Sequence, residues 1–145
     1  MLTDLIVATL EEAPAILQSQ GHASIWPTLE AKGIDQVKLA SLRFILKGEP
    51  PEDQVVIEYM KSFEIQADGG AEGPWVDSLP EDLVGLLAAI SAPDIQRLAT
   101  AWANTEEAQL DRWVAADVEP LLGELSALAA GAVAQGKRLL LWVCL

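Results

Sequence analysis

The strongest constraint on what this chain can fold into lies near its C-terminal end. From Asp117, which opens the pattern, Val118, Leu121, Leu122, Leu125, Leu128, Ala129, Ala132 and Val133 recur at helical spacing on one face. Gly136 stops the helix. Leu139, Leu140, Leu141, Trp142 and Val143 then follow as a short, almost wholly apolar run that reads as a strand buried in a sheet. A long amphipathic helix and a buried strand joined by one glycine turn predict an α+β fold, with helices packed on a small sheet that includes the C-terminal strand.

The rest of the chain fits that plan. Asp4–Ala8 is a short apolar run that suits a buried strand or a helix start. Thr9 and Glu12 hold capping-box positions, which predicts a helix over 10–19 burying Leu10, Ala13 and Leu17, against the objection of Pro14. Residues 20–33 read as loop, punctuated by Gly21, Trp26-Pro27 and Gly33. Asp35 caps a helix over 35–47 that Gly48 ends. Residues 55–61 suit helix or strand equally, whereas Phe63 to Gln66 alternate as a half-exposed strand near 62–66 does. Asp68 to Pro74 form a glycine-rich loop, and Trp75-Val76 after it can return as the second arm of a hairpin. Helices are predicted over 80–90, from Pro80, and over 92–104, with Thr105 capping a short piece that reaches Trp113. The whole is read as a single domain over residues 1–145, five or six helices on a sheet.

Charge is the second constraint. The net charge is −13, and residues 49–82 carry −9 of it, ten acids against the single base Lys61. A field so one-sided repels nucleic acid and anionic membrane, and attracts a basic partner. Lys38, Arg43 and Lys47 form a small basic patch on the preceding helix, placed to face the acidic segment or to stand in solvent. With 51% hydrophobic residues the chain is no disordered acidic tail. Its apolar runs fall far short of the roughly 18 residues that span a bilayer. Its first eight residues hold an acid and no base, so they are not read as a secretory signal, and a cytoplasmic location is the expectation.

Four blocks, Lys32 to Ala40, Asp68 to Val76, Trp102 to Glu107 and Gly136 to Trp142, resemble bacterial conserved-hypothetical proteins of about this length. The resemblance implies a bacterial origin and a single domain only, and points to no particular activity.

No catalytic, metal or cofactor signature stands out, and no cofactor is expected. His22 is the only histidine and is read as a loop or surface residue, so a zinc site or a histidine-based triad lacks its other members. Cys144, the one cysteine, allows no internal disulfide. In the acidic loop Gly70 and Leu79 fall where an EF-hand needs oxygen ligands. Trp102 and Trp142 belong to periodic apolar segments and are expected in the core. Trp26 and Trp75 sit beside prolines in loops, where tryptophan suits a protein-binding surface or a cover for the open ends of the core. The sequence therefore points to an acidic module, immunity- or antitoxin-like, that masks a basic protein through Trp26, Glu49, Glu52, Asp53, Asp68, Glu72, Trp75 and Asp77. The alternative is a small-molecule-binding domain or enzyme with a pocket around His22, Trp26 and Trp75.

Overall fold

The structure, a computed structural model, describes all 145 residues. Five strands, β1 (Leu2–Ala8), β2 (Thr28–Lys32), β3 (Glu64–Asp68), β4 (Trp75–Ser78) and β5 (Arg138–Cys144), form one antiparallel sheet in the order β2-β1-β5-β4-β3. The first and last strands are neighbours at its centre: Leu5 pairs with Leu141 and Ile6 with Leu140. The C-terminal strand also pairs with β4, not with the 63–66 segment, which reaches the sheet through the β3–β4 hairpin.

β1 and β5 are apolar at nearly every central position because both faces of the sheet are covered. Leu5, Val7, Leu139 and Leu141 point to the main core. The covering helices are α2 (Gln36–Leu46), α3 (Asp53–Met60), α4 (Glu81–Ala88), α5 (Ile95–Ala103), α6 (Glu106–Leu110) and α7 (Ala115–Gln135). α7 packs on β1, β2 and β5, and α4 and α5 pack on α7. Ile6, Ala8, Leu140 and Val76 point the other way, into a smaller core closed by the excursion between β1 and β2. That excursion holds a 3-10 turn (Leu10–Glu12), α1 (Ala13–Gln18) and Trp26. Far from forming a loop throughout, residues 20–33 end in the edge strand β2, which the turn residues around it conceal in the sequence.

The helix ends follow the local chemistry. Asp35 caps α2 by accepting from the Lys38 N–H at 2.9 Å, and Thr105 caps α6 by accepting from Ala108 N–H. At the end of α7, Gly136 takes φ +63°. Its N–H donates to Val133 and that of Lys137 donates to Ala132, a Schellman pair that turns the chain straight into β5. Pro14 proves no obstacle, because a 3-10 turn precedes α1 and leaves the proline in the helix's first turn, where its missing N–H has no partner to lose. No helix is long and apolar enough to cross a membrane.

Candidate functional site

Side chains alternate across a strand, so Trp75 and Asp77 of β4 share one face of the sheet with Val143 of β5 and Ile65 of β3. It is the face that carries the main core. At this end, however, the helices stop short. The start of α2 (its cap Asp35, with Gln36 and Val37) and Met60 at the end of α3 leave a cleft of about 410 Å³ over these four residues. Asp77 forms part of its floor and is only 6% exposed. Gln36 Nε2 donates to Asp77 Oδ2 at 2.5 Å, while Asp77 Oδ1 has no donor. Burial raises the Asp77 carboxyl above the ordinary carboxylate range, and the Gln36 hydrogen bond opposes that rise in part.

Asp77 is the exception among the ten central acids: the other nine are exposed. Four of those meet a base. Arg43 reaches Asp82 at 3.3 Å and Glu49 at 3.9 Å, Lys61 pairs with Glu58 at 2.9 Å, and Arg138 pairs with Glu81 at 3.6 Å. Arg43 also lies over the Phe44 and Tyr59 rings, and the Tyr59 hydroxyl donates to Asp82 at 2.7 Å. Burial and the Asp82 carboxylate push that phenol above its ordinary range. No base forms an ion pair with Glu52, Asp53, Glu64, Asp68 or Glu72. Of the three bases expected to form a patch on α2, Lys47, at the helix's C-cap, is exposed and forms no ion pair. Arg43 does face the acids, but Lys38 turns inward and is 1% exposed, its ammonium bound to Gly33 O at 2.8 Å and to Asp111.

On the opposite face the aromatic expectations change. Trp26 is 8% exposed and part of the smaller core, not a free surface residue. Its Nε1 donates to Glu12 Oε2 at 2.8 Å, and Glu12 also accepts from the Thr9 N–H at 2.9 Å. These donors, Thr9 first, hold the Glu12 carboxyl below its ordinary range. His22 is buried too, not a surface residue: Nδ1 lies 2.6 Å from Asp4 Oδ2, Nε2 lies 3.1 Å from Ile16 O, and the ring meets Trp142 edge-on at 4.8 Å. Both ring nitrogens are engaged within the fold. A second cleft of about 580 Å³ lies over Asp4, His22 and Trp142, rimmed by Glu30 and Lys32. His22 and Trp26 therefore stand on one side of the sheet and Trp75 on the other, so the three do not line one pocket.

Of the eight residues expected to bind a partner, the structure brings Trp75 and Asp77 into one cleft. It leaves Glu52, Asp53, Asp68 and Glu72 exposed without an ion pair, ties Glu49 to Arg43 and buries Trp26. Gln36, Val37, Met60, Ile65 and Val143 were not legible as site residues. The one signal for the cleft was an acid two residues after a tryptophan in an otherwise apolar strand, which puts both on one face. Comparison of the chain with protein-family models, curated proteins and solved structures gives no match.

Proposed function

We propose that the chain is a non-enzymatic, acidic protein-binding module whose partner is a basic protein; an immunity- or antitoxin-like protein that masks a basic effector is its concrete form. The observation that carries the reading is the set of five exposed acids without ion pairs, Glu52, Asp53, Glu64, Asp68 and Glu72, on α3, β3 and the hairpin. Acids satisfied within the fold give little to a partner. Unpaired ones speed encounter with a basic surface and lose that advantage as salt screens them. Exposed Ile57 on α3 and Ile65 on the cleft side of β3 add apolar area in the same segment. The test is capture from a lysate of the source cells at low salt. The wild-type chain is to retain a basic protein that a variant with all five acids changed to Gln or Asn does not. Retention of no basic protein, or equal retention by the variant, would contradict the reading.

A small-molecule-binding domain is the second reading, favoured by the Asp77 cleft, whose apolar walls and buried carboxyl resemble those of a ligand pocket. A metabolite that raises the melting temperature of the wild type but not of Asp77→Asn would support it.

A further inference from the structure

The Asp77 cleft has a definite chemical preference. Its walls are apolar: Val37, Met60, Ile65, Trp75 and Val143. Its two acids differ. Asp35 is taken by its own helix, Oδ1 accepting from the Lys38 N–H at 2.9 Å and Oδ2 lying 3.5 Å from Lys38 Nζ. Asp77 is more than nine-tenths buried, and its Oδ1 accepts nothing. A buried carboxyl oxygen without a donor has given up hydration for no return, and a ligand that supplies the donor recovers the loss. The missing element is thus a hydrogen-bond donor, best a charged one, carried on hydrocarbon. An anion would meet two carboxylates and a strongly negative chain.

We propose that this cleft receives a lysine side chain, its ammonium meeting Asp77 and its methylenes lying along Met60, Ile65 and Trp75. Arginine fits less well. A guanidinium binds a carboxylate best through both oxygens, and Gln36 already holds Oδ2. An ammonium needs one oxygen, and Oδ1 is the one left. Oδ1 is shut off from water, so an ammonium reaches it only as neighbouring side chains shift, and Met60, unbranched and flexible, is the most adaptable of the cleft's walls. The lysine belongs to the basic partner proposed above, and in naming that source the inference rests on that reading.

The test is an NMR titration of the full chain with Nα-acetyl-lysine methylamide, observing the Trp75 indole N–H and the Gln36 side-chain amide. The lysine probe is to move both signals. The norleucine analogue, which lacks the ammonium, is to bind about tenfold more weakly or less, as expected when a charged hydrogen bond is lost. Asp77→Asn is to lose binding to the same degree. Ile65→Trp, at an exposed position across the strand pair from Asp77, fills the cleft while leaving the carboxyl group itself in the chain, and is to abolish binding even where Asp77→Asn fails to fold. Equal binding of the norleucine analogue, unchanged binding by Ile65→Trp, or no movement of Trp75 would overturn the proposal. The two readings separate cleanly. Probe binding as described, with no basic protein retained, keeps the cleft, makes a free amine its ligand and removes the protein partner. A basic protein retained equally by the wild type and Ile65→Trp, with Trp75 unmoved by the probe, keeps the partner and removes the cleft.

Discussion

Lys38 and Asp111, 73 residues apart in the chain, form an ion pair that fixes the first turn of α2 to the turn after α6. The Lys38 ammonium also donates to Gly33 O and lies 5.1 Å from the Trp113 ring centre, while the Lys38 carbonyl accepts from Trp102 Nε1 at 2.9 Å. Arg112, with φ +59°, turns the chain so that Asp111 and Trp113 both reach this point. Lys38→Ala removes buried methylenes and strands the acceptors, and is expected to cost about 3 kcal/mol in urea unfolding. Asp111→Asn, at an exposed position with Gly33 O and Asp35 still facing the ammonium, is expected to cost less than half of that. A Lys38→Ala variant as stable as the wild type would show that the pair holds nothing.

Trp26 and Glu12 give a pH-dependent counterpart on the other face. Trp26→Phe keeps most of the ring but removes the indole donor, at a cost of about 1 kcal/mol at neutral pH. Glu12 titrates below its ordinary 4.5 because of the hydrogen bonds it accepts. Its contribution to stability is therefore present above 4.5 and lost as pH falls through the folded-state value. The destabilisation by Trp26→Phe should shrink over that acid window. A cost that stays constant across it would mean that the indole donor does not act through the Glu12 carboxylate.

Asp77 has the opposite sign. Burial raises its carboxyl above the ordinary 3.8, so ionising it costs more in the folded chain than in the unfolded one. The penalty is absent below 3.8 and grows as pH rises through the folded-state value. Asp77→Asn is expected to raise the melting temperature at neutral pH by a few degrees, the scale of about 1 kcal/mol in a chain of this size, and to leave it unchanged at low pH. A variant less stable than the wild type at neutral pH would show that the carboxylate is better satisfied than its single donor suggests.

Much of the fold could be read from local patterns. The terminal strand, the long helix before it, the Asp35 and Thr105 caps and the β3–β4 hairpin all follow from spacing and capping chemistry confined to a few neighbours. What stayed hidden depends on contacts distant in sequence. β2 carries Glu30 and Lys32 on an edge strand with one half-wet face, so it lacks the apolar run that marks β1 and β5. Of residues 55–61, all but the last resolve as helix, because α3 packs against α2, and Lys61 forms the turn that ends it. Trp26 and His22 looked like loop residues because their partners, Glu12 and Asp4, come from segments that only the sheet brings together. Lys38 looked like a surface base because nothing in its own helix announces Asp111. The Asp77 cleft was legible only in Trp75 and Asp77 of β4, and not in Ile65 and Val143 of the flanking strands or in Gln36 and Met60, which arrive from two helices.

Salt should act on the five unpaired acids. Their mutual repulsion, with that of the rest of a chain at −13, is screened as ionic strength rises. The melting temperature is expected to rise between low and moderate sodium chloride. Changing Glu52, Asp53, Glu64, Asp68 and Glu72 to their amides should remove most of the rise, whereas changing Glu49, which Arg43 already neutralises in part, should remove little. A melting temperature that falls with salt would mean that the acids are satisfied within the fold.

The proposed function is tested most directly by how fast the chain meets a basic partner. With the protein retained in the capture experiment purified, the association rate constant is to be measured by stopped flow from about 0.02 to about 0.2 M sodium chloride, a span that shortens the screening length about threefold. The rate is expected to fall about tenfold or more for the wild type and to depend on salt much more weakly for the five-amide variant. Equal rates for the two chains, or a wild-type rate indifferent to salt, would contradict it.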